Sequence, residues 1–402
     1  MPITFINGFI VPKYRRYGEL FSQEGNPEGG SAVETPADYV DIPYAMGNYK
    51  SNSIRIMNTG FQRTRYTMKT NAPVSQAVIS FHIKFGVFSS DHTMGESCFF
   101  VLRNGYSEGD TSNTGRGMRV CEIACRKDPD ETTKGSVEIW AGGDIDDQSN
   151  YTGSLIASSA SKAIVTDVWY FCEIVFNFGL ASVYLDSSLV AQGTVPTGYF
   201  DSHGIEWESF GFRGIKVSDY VFQEGSDATR LITPVRITNL FPARDKVSQG
   251  SSTDSNHYDA VNDARVLDAS SYVTVASGEQ ELLGMERGYP LGSPLAVCAC
   301  TIICGSASGL KSLYRYGDEG TLLYGSDFQD TFSRNTSGNV LSNLFYAGAL
   351  DTRDPNGDVW DDSDWVATWQ SGFEGGAAIV HQFVIERLHI NGAGSGARYV
   401  SF

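Results

Sequence analysis

Apolar and polar residues alternate with a period of two through much of the first half of the chain. In Ile79–Val87 every odd position is apolar, and Tyr170–Phe178 carries the same alternation on its even positions. This pattern predicts strands with one buried face and one wet face. Gly179 follows the second strand and Ser182–Asp186 comes next, which predicts a hairpin with Trp169 at its entrance.

Further short strands are predicted in both halves of the chain, separated by segments rich in glycine, serine, asparagine and aspartate. They are Val120–Ala124, Ser136–Trp140, Leu189–Thr194, Phe210–Val217, Pro234–Leu240, Tyr272–Ala276, Leu295–Cys304 and Ala378–Ile390. Many short strands joined by such turns are typical of a sandwich or jelly roll. The sequence therefore predicts an all-β protein.

The best candidate for a linker is the polar stretch Glu224–Arg230, which predicts one domain over residues 1–225 and a second, smaller β-rich domain over 226–402. The second domain is expected to contain one short helix near 361–371. In that segment Trp365 and Trp369 have i, i+4 spacing, the start is acidic, and Gly372 can end the helix.

Composition and charge exclude several classes of function. The 402 residues include 30 Lys and Arg against 47 Asp and Glu, a net charge of −17. Such a charge argues against nucleic acid as a partner and against docking on anionic lipid. The longest apolar run, Leu295–Cys304, is too short for a membrane helix, so membrane insertion is not expected. No secretory signal is recognised at Met1–Phe5, and synthesis in a cytoplasm is expected.

Candidate metal ligands have simpler interpretations. Cysteines at even spacing (Cys298, Cys300, Cys304) and the pair Cys121 and Cys125 lack the paired spacing that zinc sites use, so free buried thiols are expected. Asp354–Asp358 imitates the start of a calcium loop, but Val359 and Trp365 stand where that loop needs glycine and glutamate. No cofactor is therefore predicted, with calcium at this segment or at the acidic loop residues Asp144, Asp146 and Asp147 as the alternative.

Catalytic motifs are weak, and no catalytic residue is assigned. Gly305–Gly309 has alanine where a nucleophile elbow needs serine, and Gly392–Ala397 lacks the following helix that a nucleotide loop requires. Glu206 and Glu208 have the alternate spacing of paired carboxylates on one strand, without a third acid in register. His82 is expected on the polar face of its strand. The basic patch Lys13, Arg15 and Arg16, interleaved with Tyr14 and Tyr17, is interpreted as a solvated strand edge, with a dock for an acidic partner as the alternative.

Residues 1 to 225 resemble a concanavalin-A-like or laminin-G-like jelly roll. The resemblance is carried by Phe5–Phe9, Ser53–Ile56, the Trp-entered strand Trp169–Ile174 and the strand Ser182–Asp186. It implies an N-terminal jelly-roll sandwich. Folds of this type often bind sugars, although a fold alone does not assign a function.

A second resemblance extends over nearly the whole chain. Val217–Tyr220, Val235–Pro242, Asn256–Asp263 and Asp354–Trp360 follow the order of motifs found in virion proteins of tailed bacteriophages, whereas the start at Asn7–Ile10 departs from that family's pattern. The resemblance implies a non-enzymatic structural protein of the virion, at a tail fibre, the tail tip or the capsid surface. The implied partners are other virion proteins and further copies of the chain in a homo-oligomer.

Two other functions remain open. The first is a lectin-like adhesin that binds host surface glycans, with Trp140 beside Gly142–Asp144 as the candidate rim. The second is a glycan depolymerase that uses Glu206 and Glu208 as its acid and base. An adhesin is compatible with a place on the virion, whereas a depolymerase would need supporting residues that the sequence does not identify.

Overall fold

The computed structural model of the protein describes the residues 3–7, 22–24, 53–56, 64–68, 73–88, 96–104, 118–142, 153–200, 205–209, 215–262, 270–286, 293–304, 307–330, 344–360 and 369–390. The chain forms two compact units, whose main bodies are Ser53–Thr233 and Pro234–Phe402. The division lies between Thr233 and Pro234, shortly after the predicted domain boundary at residue 225. Neighbouring strands pair antiparallel in all four sheets.

The first unit is made of short strands that are distributed over two sheets. These are β1 (Ile3–Asn7), β2 (Ser22–Glu24), β3 (Ser53–Ile56), β4 (Thr64–Met68), β5 (Gln76–Phe85), β6 (Glu96–Asn104), β7 (Met118–Lys127), β8 (Lys134–Ala141), β9 (Ser154–Ser158), β10 (Ile164–Val165), β11 (Trp169–Asn177), β12 (Leu180–Leu185), β13 (Ser188–Thr194), β14 (Ile205–Ser209) and β15 (Ile215–Glu224). Sheet A has the order β1-β15-β5-β11-β12-β13, with β3 beside β15. Sheet B has the order β10-β8-β7-β6-β14-β4-β2, with β9 beside β8.

Sheets A and B pack face to face through aromatic side chains. Phe81 of β5 stacks on Phe100 of β6 with ring centroids 5.7 Å apart, and Phe85 meets Phe99 edge-on at 5.0 Å. Apolar residues at alternate positions of the other central strands are also fully buried, Ile123 of β7 among them. Face-to-face packing of alternating strands defines a β-sandwich, and the predicted jelly-roll sandwich is confirmed for this unit.

The second unit repeats the two-sheet arrangement. Its strands are β16 (Val235–Leu240), β17 (Pro242–Ser248), β18 (Ser251–Ser252), β19 (Val273–Val275), β20 (Gln280–Met285), β21 (Ala296–Cys304), β22 (Lys311–Tyr316), β23 (Leu323–Asp327), β24 (Gln329–Asp330), β25 (Leu344–Asp351), β26 (Trp369–Glu374) and β27 (Ala378–Ile390). Sheet C has the order β18-β19-β27-β21-β25-β24, with β16 beside β27, and sheet D has the order β17-β20-β26-β22-β23. The unit is β-rich, as predicted.

Aromatic residues also form the core between sheets C and D. Phe373 of β26 lies 5.5 Å from Phe383 of β27, centroid to centroid. Tyr314 stacks on Trp369 at 5.9 Å and meets Trp360 edge-on at 5.6 Å. All five side chains are buried, and together they give this unit a core of its own.

The one short helix that the structure describes is α1 (His257–Val261), not the predicted segment near 361–371. Residues 361–368 lie outside the described residues, and Trp369–Ser371 belong to strand β26. Trp369 pairs with Tyr316 of β22, so sheet pairing overrides the helical spacing of the two tryptophans. Within the described ranges, no helix combines the length and the apolar character that crossing a membrane requires.

The predicted linker Glu224–Arg230 is wrong, because this segment packs onto sheet A of the first unit. Arg230 donates from two guanidinium nitrogens to Glu173 Oε2 at 3.0 and 2.9 Å, and lies 3.4 Å from the Tyr184 ring centroid. The backbone N–H of Leu231 donates to Glu173 Oε1 at 2.8 Å. Glu173 is fully buried, so its ion pair with Arg230 fixes the segment on the sheet.

Replacing Arg230 tests this attachment. Arg230→Ala leaves the buried carboxylate of Glu173 without its guanidinium, and we expect the free energy of unfolding to fall by about 3 kcal/mol. This loss is at the lower end of the range for breaking a buried ion pair, because 22% of the Arg230 side chain is exposed. The measurement is urea unfolding. Lys134→Ala, which breaks the exposed pair with Glu131, is the control and should have a much smaller effect.

Gly372 at the centre of sheet D offers a second test of packing. A Cβ atom on this residue would lie 1.8 Å from the carbonyl oxygen of Glu281 in the neighbouring strand. Backbone must move to admit it, so Gly372→Ala should lower the free energy of unfolding by about 1–3 kcal/mol in calorimetry. At Gly198 a Cβ would meet its nearest neighbour at 3.7 Å, and Gly198→Ala should be close to neutral. Equal effects for the two variants would contradict the packing described.

Candidate functional site

The outer face of sheet B, which points away from the core, collects chemically active residues from several strands. Register runs straight across the sheet from Glu206 to Val101, from Val101 to Glu122, and from Glu122 to Trp140. Residues directly opposite each other on neighbouring strands share a face. A single row of register positions therefore runs from the backbone of Glu206 to Glu122 and Trp140, which are far apart in the sequence.

Trp140 is the half-buried aromatic residue of this face, and its ring is held by hydrogen bonding. Its indole Nε1 donates to Glu138 Oε2 at 3.0 Å. The other oxygen of the same carboxylate, Glu138 Oε1, lies 2.9 Å from Arg126 Nε. Glu138 is almost fully buried, whereas half of the Arg126 side chain is exposed. One carboxylate thus fixes both an aromatic ring and a solvent-accessible guanidinium group.

A second ion pair lies in the row beside Trp140. Arg119 donates from Nη1 to Glu122 Oε2, and both side chains are almost completely removed from solvent. Arg103 is opposite Arg119 in the register of the neighbouring strand and is equally buried. Among the side chains that the structure describes, the outer face of sheet B therefore includes Arg103, Arg119 and Arg126 beside Glu122 and Glu138, in a protein whose net charge is −17. Charged groups held in a low-dielectric surrounding interact strongly and keep a fixed geometry.

The cysteines of strand β7 point into the core, on the opposite side from this face. Cys121 and Cys125 lie on the core side of β7 and are free and buried. Burial raises the pKa of both thiols well above the ordinary value. Smaller contributions come from Glu122 at Cys121, and from Cys172 and then Glu138 at Cys125. A buried thiol that stays neutral packs as a small apolar side chain. Cys298 and Cys300 of the second unit are also buried thiols outside any disulfide, which agrees with their interpretation as small core residues.

Glu206 and Glu208, the candidate acid and base, lie on a strand whose register row also contains Glu122. Both belong to β14, whose backbone is described, although their side chains lie outside the described residues. The sequence shows no third acid in register with them. Strand pairing supplies one, because Glu122 lies on the row of Glu206 with only Val101 between them. Sequence reasoning missed Glu122 because this proximity depends on pairing between distant strands.

His82 is not on a solvent-exposed face, contrary to expectation. It lies on the outer side of sheet A, as the alternation predicts, but it is completely buried. Its Nδ1 atom lies 3.1 Å from Asp219 Oδ2, and Asp219 is buried as well. Asp186 accepts a hydrogen bond from the backbone N–H of Phe171, and burial raises its pKa while His82 lowers it. Around His82 and Asp219 the outer face of sheet A is thus a buried polar layer, not a solvated surface.

The calcium-like segment Asp354–Asp358 is a tight turn. Asp354 Oδ1 accepts hydrogen bonds from the backbone N–H groups of Asn356 at 3.0 Å and Asp358 at 2.7 Å. Its Oδ2 accepts another from the Asn356 side chain at 3.1 Å. Gly357 has a φ of +89°, a conformation that glycine adopts freely. The carboxylate oxygens of Asp354 therefore stabilise the turn itself.

A further polar cluster forms in the second unit at helix α1. Glu281 is buried and accepts from the backbone N–H of Gly250 at 2.7 Å, and His257 Nδ1 lies 2.9 Å from its other oxygen. Burial raises the pKa of Glu281. Asp245 accepts from the N–H groups of His257 and Tyr258, so it caps the helix. These contacts fix the helix on sheet D.

Several predicted features fall outside the described residues. They are the acidic loop Asp144, Asp146 and Asp147, the basic patch Lys13, Arg15 and Arg16, the acidic residues of 361–368, and the glycine-rich segment Gly392–Ala397. Gly142, beside Trp140, is described and has a φ of +65°. Of the candidate rim, the structure therefore describes Trp140 and Gly142, whereas Gly143 and Asp144 lie outside the described residues.

No family model and no curated protein matches the sequence. Among solved structures, a Bacillus subtilis protein of unknown function with a galectin-like fold is 9% identical, with a TM-score of 0.36, over 56% of this chain and 96% of that chain. LamAcat from Zobellia galactanivorans is 10% identical, with a TM-score of 0.35, over 55% and 97% of the two chains. The Caenorhabditis elegans galectin LEC-6 is 17% identical, with a TM-score of 0.23, over 42% and 89%. Because these identities and TM-scores are low, the fold assignment rests on the strand order and packing described above.

Proposed function

We propose that the first unit binds carbohydrate on the outer face of sheet B, with Trp140 as the residue on which a sugar ring packs. The observation that carries the proposal is the half-buried Trp140 ring, held by the Glu138 carboxylate on a sheet face that also presents Arg126. Pyranose rings offer an apolar C–H face and a rim of hydroxyl groups. An aromatic ring beside fixed polar groups matches both.

The ion pairs support binding without catalysis. Glu138 already accepts hydrogen bonds from two directions, and Glu122 is engaged by Arg119. A general acid must instead deliver a proton to a leaving group. The exposed part of Arg126 can donate to a sugar hydroxyl or carboxylate without breaking its contact with Glu138, because guanidinium carries five donors. Such a site is preorganised, which favours affinity.

The predicted virion role comes from the sequence resemblance alone. No contact within the described ranges bears on a place in a tail or capsid, on virion partners or on a homo-oligomer, and these remain predictions. A sugar-binding face is compatible with such a place. The lectin-like adhesin that the sequence offers as an alternative is therefore the function we favour.

Cleavage of a glycan is a second candidate, favoured by one observation. Glu206 and Glu122 share a register row with a single strand between theirs, so their backbones are about 9–10 Å apart. Paired carboxylates of glycoside hydrolases act across a fixed gap. Release of reducing ends by the wild type, lost in both Glu122→Gln and Glu206→Gln, would establish cleavage and displace the binding-only proposal.

The binding proposal predicts a selective effect of Trp140. Trp140→Ala should weaken binding of an oligosaccharide identified on a glycan array by tenfold or more, about 1.4 kcal/mol, because the packing surface is removed. Isothermal titration measures the change. Tyr324→Ala, which removes a more exposed aromatic ring from strand β23 of sheet D, is the control and should leave this affinity unchanged. Equal affinity in wild type and Trp140→Ala, with both folded, would contradict the proposal.

A further inference from the structure

Two consecutive hairpins in sheet A have the same type of turn but very different residues. The β11–β12 hairpin closes with the pair Asn177 and Leu180, and its turn residues Phe178 and Gly179 have φ values of +46° and +90°. In the next hairpin, β12–β13, the turn residues Asp186 and Ser187 have φ values of +46° and +71°. Two-residue turns with positive φ at both positions are type I′ turns.

Phenylalanine is a poor residue for the first position of such a turn. Type I′ turns favour asparagine, aspartate or glycine there, and a bulky residue at positive φ is a true outlier. Asp186 satisfies this preference, whereas Phe178 does not. Phe178 also gains little from burial, because 64% of it is exposed. Its conformation is enforced by the hairpin and by its N–H, which donates to the Ser75 carbonyl at 2.8 Å. Strain that brings no packing in return is typical of functional positions.

A second exposed aromatic residue lies at the same end of the sandwich. Tyr199 is 45% exposed. Its neighbour Phe200 exchanges two backbone hydrogen bonds with Val74, next to the Ser75 carbonyl that holds Phe178. The backbone of Gly198 lies against that of Phe178, since a Cβ on Gly198 would be 3.7 Å from the Phe178 carbonyl carbon. The two aromatic residues are therefore held at one end of the sandwich, beside the β11–β12 turn, which is called the tip below.

Uncharged polar groups complete this tip. Gln76 Nε2 donates to Asn177 Oδ1 at 3.1 Å in an exposed amide pair directly beside Phe178. Each amide retains donors and acceptors that can bind a hydroxyl group. The net charge of −17 disfavours anionic lipid and acidic sugars as occupants.

We infer that Phe178, Tyr199 and the Gln76–Asn177 pair form a second saccharide site, which takes a neutral oligosaccharide. The aromatic rings pack against the apolar C–H face of the sugar, and the amides bond its hydroxyl groups. This site goes beyond the function proposed above, because it shares no residue with the Trp140 face. The two sites can therefore be tested separately.

The test uses the full chain carrying Trp140→Ala, so that the remaining binding reports on the tip. Maltotriose, cellotriose and laminaritriose serve as probes in isothermal titration. Adding Phe178→Asn should weaken the remaining binding by tenfold or more, and adding Tyr199→Ala should weaken it similarly. Phe178→Asn should at the same time raise the Tm by about 2–4 °C, because asparagine suits the turn. The opposite directions of these two changes exclude misfolding as the cause.

Leu189→Asn, at an apolar residue of β13 that is 50% exposed, is the matched control and should leave the remaining binding unchanged. The inference is overturned if none of the three probes binds the Trp140→Ala chain, or if Phe178→Asn leaves binding intact. A lowered Tm in Phe178→Asn would show that Phe178 is a packing residue and would also overturn it. So would binding to phosphatidylcholine vesicles that Phe178→Asn abolishes. Trisaccharide binding that survives Trp140→Ala and is lost with Phe178→Asn would support the tip, whatever the separate titration of the Trp140 site shows.

Discussion

The face-to-face packing of sheets A and B, in which Phe81 stacks on Phe100, determines which side of each strand in the first unit faces away from the core. It brings sheets A and B together through one face of each, and side chains alternate along a strand. Once Ile123 and Ile139 point into this core, Glu122, Glu138 and Trp140 must point away from it. The candidate site is therefore a direct consequence of how the sandwich is packed.

The outer faces of the two sheets have different chemistry. On sheet A the polar residues His82, Asp219 and Glu173 are fully buried and form ion pairs with one another or with Arg230, so these groups fix the local packing. On sheet B the Arg119–Glu122 pair is buried, but the contacts of Glu138 reach solvent through Arg126 and the half-buried Trp140. Buried ion pairs add little net stability but hold their groups in a fixed geometry. Such geometry is of most use where a ligand must be recognised.

Local patterns predicted the strands well and the long-range features poorly. The alternation in Tyr170–Phe178 placed β11 to within one residue at each end, because period-two burial is a property of the strand itself. Trp365 and Trp369 have helical spacing, yet Trp369 is in β26, where pairing with Tyr316 decides its conformation. Trp140 could be nominated from its glycine-rich neighbourhood. Its partnership with Glu122 and the row to Glu206 could not, because register between distant strands is not written in any local segment.

The central claim is that a sugar binds at Trp140, and the indole N–H resonances test it most directly. The chain has six tryptophans, and Trp140→Phe identifies the resonance of Trp140 by its loss. Titration with an oligosaccharide that binds on a glycan array should shift the Trp140 resonance, whose N–H is bonded to Glu138, and leave that of the buried Trp360 unmoved. Saturable binding with the Trp140 resonance unchanged would contradict the account.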